Sequence, residues 1–105
     1  MSLIAVETAA QQAPVAAALV RLLTARPDLP AASFEIGRMY CEPEPGPRIE
    51  IRLHDSLGHF EAWREALNFD PGAVRLWDHG GTISLSIETR WNGVPIELTG
   101  YAKPL

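Results

Sequence analysis

The chain has 105 residues, a formal net charge of −4 and 21% charged residues, which is typical of one globular domain. The acidic balance argues against a nucleic-acid partner, because a phosphate backbone favours a basic surface. The apolar run from Val15 to Val20 is too short to cross a membrane, and we expect no signal peptide, because the first residues lack a basic-then-apolar pattern. The single cysteine, Cys41, excludes an internal disulfide. We therefore expect a cytoplasmic location and no membrane association.

The N-terminal quarter predicts an arm followed by a helix. Residues 1–8 are expected to form a flexible or edge-pairing arm. A helix is predicted over Ala13–Ala25, because Pro14 suits a first helical turn and Pro27 ends the pattern. Its apolar stripe consists of Val15, Ala18, Leu19, Leu22 and Leu23.

Two strands are predicted next. Ser33–Tyr40 is the first, with Gly37 marking a bulge, because the apolar residues after it change parity. An acidic, proline-rich connection spans 42–47. The second strand, Arg48–His54, alternates strictly between apolar and polar residues. Together they predict a hairpin.

A second helix follows, capped by Asp55 or Ser56 and ending near Asn68. Four apolar side chains at helical spacing should pack on the sheet: Leu57, Phe60, Trp63 and Leu67. The turn at 70–72 then leads into the last part of the chain.

Residues 74–101 predict a three-stranded antiparallel meander. Thr82–Trp91 and Val94–Tyr101 alternate in polarity on either side of Asn92-Gly93, a pair typical of a type I′ turn. Val74–Asp78 forms the preceding strand. The order is thus α-β-β-α-β-β-β, which predicts a single α+β domain over residues 1–105. We expect a five-stranded, mainly antiparallel sheet with both helices packed on one face.

The opposite face of the sheet, called the outer face below, is the first candidate site. The alternation predicts that it carries Glu50, Arg52, His54, Arg75, Trp77, Ser84, Ser86, Glu88, Arg90, Glu97, Thr99 and Tyr101. A turn at Gly80-Gly81 would place Trp77 and Tyr101 on either side of Ser84, whereas a turn at His79-Gly80 would place Arg75 there. Exposed Trp, Tyr and Arg are enriched at protein interfaces. The candidate binding residues are Arg75, Trp77, Arg90, Tyr101, Glu88 and Arg52.

The second candidate site follows from topology. A strand–helix–strand connection normally makes its two strands parallel. His54, Asp55 and His59 should then lie at the same end of the sheet as Asp78 and His79. Imidazoles and carboxylates are ligands for Zn²⁺ and groups for acid–base catalysis. Solvated loop histidines and an aspartate cap would explain the same residues.

The sequence contains no catalytic or cofactor-binding motif that we recognise, and we expect no cofactor. The leading hypothesis is a small cytoplasmic interaction or regulatory module, which binds a protein partner or forms a homodimer through the outer face. The alternative is a small-molecule or metal-binding protein, conceivably an enzyme, that uses the histidine and aspartate residues.

Overall fold

The computed structural model of the chain describes residues 8–39 and 46–102. The elements of this part are α1 (Ala9–Ala25), β1 (Ser33–Met39), β2 (Gly46–Leu53), α2 (Leu57–Ala66), a short 3-10 helix (Pro71–Ala73), β3 (Arg75–Asp78), β4 (Ile83–Trp91) and β5 (Val94–Ala102). Residues 1–7 of the expected arm, Cys41 and most of the acidic connection lie outside the described residues.

Helix α1 begins earlier than the proline pattern predicts. Thr8 is the N-cap residue, and its backbone N–H donates a hydrogen bond to Oε1 of Gln11 at 2.7 Å. This capping arrangement fixes the start of the helix. Pro14 therefore lies inside the helix instead of opening it. Val15, Ala18 and Leu22 form the buried side of the helix.

The strand order is β1-β2-β5-β4-β3. The sheet is mixed, because β2 and β5 run parallel at its centre while the other neighbouring strands are antiparallel. The expectation of a mainly antiparallel sheet is therefore wrong. Sequence patterns identify hairpins, which are local, but they do not show which strand of the meander returns to lie beside β2.

The meander itself forms as predicted. Trp91 pairs with Val94 and Ile87 pairs with Leu98 across β4 and β5. Asn92-Gly93 makes the turn with φ angles of 50° and 81°, the left-handed conformation that a type I′ turn requires.

The core lies between the helices and one face of the sheet. Its most deeply buried strand residues are Ile49, Ile51, Leu53, Ile96 and Leu98, each at most 1% exposed. Trp63 of α2 is also buried, and its Nε1 donates a hydrogen bond to the carbonyl of Pro30 at 2.8 Å. At Gly100 a Cβ atom would lie 2.6 Å from Cβ of Phe60. The glycine therefore allows α2 to approach β5 closely.

Gly37 does not mark a bulge. The pairing of β1 with β2 is continuous through Gly37, which lies opposite Arg48. A Cβ at this position would overlap Oε2 of Glu50. The glycine instead leaves room on the outer face for the carboxylate of Glu50.

Helices α1 and α2 are both too short or too polar to span a bilayer, and no other helix of the described residues qualifies.

Candidate interaction surface

The turn between β3 and β4 decides the composition of the outer face. The backbone N–H of His79 donates to the carbonyl of Thr82 at 2.8 Å, so Gly80 and Gly81 form the turn. Trp77 consequently pairs with Ser84. The alternative turn at His79-Gly80, which would have placed Arg75 beside Ser84, is wrong.

An aromatic row crosses the outer face at this end of the sheet. Ser84 lies between Trp77 of β3 and Tyr101 of β5, as expected for a turn at the two glycines. His54, just after β2, extends the row, because its ring stacks on Tyr101 with centroids 5.0 Å apart and an interplanar angle of 6°. Nε2 of His79 lies 3.0 Å from Oγ of Ser84. We call Trp77, Ser84, Tyr101 and His54 the aromatic row.

A groove of about 580 Å³ opens beside Trp77. It is lined by Gly72, Ala73, Val74, Arg75, Trp77, Ser86, Ile87, Glu88 and Glu97. Nε1 of Trp77 donates a hydrogen bond to Oγ of Ser86 at 3.1 Å, which holds the indole against β4. The Trp77 residue nevertheless remains 49% exposed. Three of the six candidate binding residues, Arg75, Trp77 and Glu88, therefore line one groove.

The other three candidates lie elsewhere on the sheet. Tyr101 belongs to the aromatic row. Arg90 is at the far hairpin, where its Nη1 donates a hydrogen bond to the carbonyl of Gly93 at 2.8 Å. Arg52 donates a hydrogen bond to Glu50, and its Nη1 lies 3.9 Å from Oε1 of Glu35. Arg52 and Arg90 are therefore not part of the groove.

Four glutamates form a second row next to the groove, here called the glutamate row. Glu88, Glu97, Glu50 and Glu35 are directly opposite one another on β4, β5, β2 and β1. The polarity pattern placed Glu50, Glu88 and Glu97 on the outer face but did not align them. The Asn92-Gly93 turn sets Glu88 opposite Glu97, but the alignment of Glu50 with them depends on the strand order, which no local pattern reveals.

Arg48 lies among three of these carboxylates. Its guanidinium nitrogens are 3.4 Å from Oε2 of Glu97, 3.7 Å from Oε2 of Glu50 and 3.7 Å from Oε1 of Glu88. Its Nε is buried without a hydrogen-bond partner. The side chain of Glu50 is only 10% exposed, although it lies on the face without helices. Long charged side chains therefore cover the middle of the outer face.

The position of Glu97 raises the pKa of its carboxyl group above the ordinary 4.5. Burial is the largest cause, because it disfavours the charged form. Arg48 opposes the change, while Glu50 and Glu88 add to it through repulsion and a hydrogen bond with Glu88. Glu97 lines the groove, so its carboxyl group becomes charged at a higher pH than an unperturbed glutamate.

The second candidate site is only partly assembled. Strands β2 and β3 do point in the same direction, as the pairings through β5 and β4 require. However, β5 and β4 lie between them, and three interstrand steps amount to about 14 Å. Among residues 8–39 and 46–102, no three His, Cys, Asp or Glu side chains are grouped to hold a metal ion. The described residues therefore do not support the alternative hypothesis of a metal site.

The five residues of that candidate site instead lie in separate surroundings. His54 and His79 belong to or contact the aromatic row. Oδ1 of Asp78 accepts a hydrogen bond from the Gly80 N–H at 3.0 Å and so supports the turn. Asp55 is exposed, and Ser56, not Asp55, is the N-cap of α2. Nδ1 of His59 is buried without a hydrogen-bond partner.

Comparisons with protein-family models, with curated proteins and with solved structures find no match for this chain. The geometry therefore defines the class: an α+β domain with a mixed five-stranded sheet, two helices on one face and a polar, partly aromatic outer face.

Proposed function

We propose that this chain is a protein-interaction module whose binding surface is the outer face around Trp77. The observation that carries the proposal is the 49% exposure of Trp77 beside a groove of about 580 Å³. Tryptophan and arginine are enriched among the residues that dominate binding energy. Contiguous exposed apolar surface marks interaction sites, and Trp77 is continued across Ser84 by the rings of Tyr101 and His54.

The groove lining supports a particular chemistry for the partner surface. An apolar side chain or a guanidinium group of the partner would cover the indole of Trp77, while a carboxylate or an aromatic ring would pair with Arg75. Glu88 and Glu97 line the same groove and would repel a second carboxylate. This combination of attraction and repulsion would fix the orientation of the bound surface.

The proposal requires no catalytic group or cofactor. The partner is another protein or a second copy of the chain. The single cysteine supports a reducing compartment, so we place the module in the cytoplasm.

The test replaces Trp77 with a charged residue. The wild-type chain and Trp77→Glu are used to capture binding proteins from the cells that make the chain, and each captured protein is then purified for Kd measurement. Trp77→Glu is expected to weaken specific binding by about 30-fold, equivalent to a hot-spot loss of about 2 kcal/mol. Val20→Glu is the matched control, because Val20 is 62% exposed but lies on α1.

The control should bind as the wild type does, and circular dichroism should show the same fold for all three chains. A partner that binds all three equally does not use the outer face. If every partner and the solution mass are insensitive to Trp77→Glu, the proposed function is wrong.

A further inference from the structure

The edge of the sheet at β3 has the properties of a strand that pairs with another strand. All four residues of β3 are exposed, including Leu76 at 65% and Trp77 at 49%. Edge strands are normally protected by short length, charged side chains, proline, a bulge or a covering element. β3 is short and carries Arg75 and Asp78, but it contains no proline, its pairing with β4 is continuous, and its two central residues are apolar and exposed. The main helix contacts are with β1, β2 and β5, none of which is adjacent to β3.

The hydrogen-bonding pattern of the β3–β4 hairpin shows which backbone groups of β3 face the open edge of the sheet. The 79–82 pair is hydrogen-bonded, so the alternation of an antiparallel ladder directs the N–H and C=O groups of residues 75 and 77 toward β4. The N–H and C=O groups of Leu76 and Asp78 therefore point away from the sheet. The C=O of Val74 has the same direction, while its N–H already donates to the carbonyl of Pro71 at 3.3 Å.

We propose that β3 pairs antiparallel with β3 of a second copy, with Leu76 opposite Leu76, to form a continuous ten-stranded sheet. This inference rests on the proposed function, since it names the second copy as the partner at Trp77. The arrangement has a two-fold axis perpendicular to the sheet. Two-fold symmetry is the commonest symmetry of dimers. Four hydrogen bonds join the strands: one from each Leu76 N–H to the other Leu76, and one from each Asp78 N–H to Val74.

The side chains of β3 are complementary in this register. A two-fold axis perpendicular to the sheet keeps the faces aligned, so residues of equal parity lie opposite each other. Leu76 then contacts Leu76 of the second copy on the helix side. On the outer face, Arg75 of each copy is opposite Trp77 of the other, in a pair without backbone hydrogen bonds, where side chains approach most closely. Two cation–π contacts result.

The neighbouring register is less favourable. It would place Trp77 opposite Trp77 but would bring Leu76 against Asp78 and Arg75 against His79. An apolar side chain beside a carboxylate loses the burial that the first register provides. The register with Leu76 opposite Leu76 therefore gives favourable side-chain contacts on both faces of the strand.

Sedimentation equilibrium of the full chain over a concentration series tests the dimer. The expected mass is twice 11.5 kDa at high concentration. Leu76→Lys places two like charges opposite each other and should halve that mass, whereas Val20→Lys, at the exposed site on α1, should leave it unchanged. A wild-type chain that stays at 11.5 kDa at all concentrations overturns the inference.

Disulfide trapping reads the register. In a Cys41→Ser background, Leu76→Cys is expected to form an interchain disulfide under mild oxidation at least tenfold faster than Trp77→Cys, because only the first pair is in bonding range. Faster trapping at residue 77 would overturn the register. A monomeric wild-type chain whose partner binding still depends on Trp77 would refute this inference and leave the proposed function intact. A chain that dimerises through Leu76 but binds equally after Trp77→Glu would refute the proposed function.

Discussion

The two faces of the central strands β2 and β5 are covered by different means. On the inner face, Ile51 and Leu98 have no measurable exposure, because two helices cover them. On the outer face, Glu50 is 7% exposed and Thr99 is 8% exposed. There the cover consists of neighbouring long side chains, with Arg48 among the carboxylates. The free energy of unfolding should therefore be sensitive to side-chain shape on the inner face and to side-chain charge on the outer face.

The largest expected effect comes from a substitution at Gly100, on the inner face. In Gly100→Ala the new methyl group would lie 2.6 Å from Cβ of Phe60, an atom attached directly to the backbone of α2. The helix must then shift away from β5. We expect the free energy of unfolding to fall by about 3 kcal/mol, the upper part of the usual range for overpacking. Urea denaturation followed by circular dichroism measures the change.

Gly58→Ala is the matched control for this substitution. Gly58 lies within α2, and its nearest contact for an added Cβ is Oγ of Ser56 at an ordinary 3.6 Å. Alanine in place of glycine in a helix should raise stability by roughly 0.5–1 kcal/mol. If both variants lose the same stability, close packing at Gly100 is not the cause.

A smaller effect is expected when the outer face is broken at Gly37. In Gly37→Ala the added Cβ would overlap Oε2 of Glu50, so this carboxylate must move from its place between Arg48 and Arg52. A lost hydrogen bond between charged groups typically costs about 2 kcal/mol. The same urea titration should show a loss of this size.

Making Gly37→Ala in the Glu50→Ala variant separates the overlap with the Glu50 carboxylate from a general effect of alanine. Without the carboxylate, Gly37→Ala has no atom to displace, so its cost should disappear or change sign. The double-mutant cycle should give a coupling of about 2 kcal/mol between the two sites. Additive losses would show that Gly37 has another role.

These sites show which features the sequence could predict. The Asn92-Gly93 turn fixes the register of β4 and β5, and the two glycines after His79 fix that of β3 and β4. Trp77 and Tyr101 could therefore be placed beside Ser84, with the position of the turn as the one open choice. Local chemistry was sufficient in these cases.

Other features depend on contacts between distant segments. The parallel pairing of β2 with β5, the glutamate row and the separation of His54 from His79 all follow from the strand order. A glycine within a strand pattern predicts a bulge at Gly37, whereas the actual reason for this glycine is the side chain of Glu50 on the neighbouring strand. Alternation of polarity within a strand contains no information about such neighbours.

The smallest expected effect is a pH dependence of stability that arises from Glu97 on the outer face. The raised pKa of Glu97 means that the folded chain retains a proton that the unfolded chain loses, so the wild-type protein loses stability as the pH rises from about 4.5 through that pKa. Glu97→Gln removes this loss. Relative to the wild type it should gain a few tenths to about 1 kcal/mol between acid and neutral pH, a size typical of like charges opposite each other and limited by solvent screening.

Glu61→Gln provides a control of opposite sign. The hydrogen bond from Arg64 lowers the pKa of the exposed Glu61, so its contribution is present at neutral pH and is lost as the pH falls. Urea titrations from acid to neutral pH should therefore show Glu97→Gln gaining stability relative to the wild type and Glu61→Gln losing it. If Glu97→Gln instead loses stability toward neutral pH, attraction to Arg48 outweighs burial and repulsion at Glu97. The outer face would then be stabilised by its charges at neutral pH.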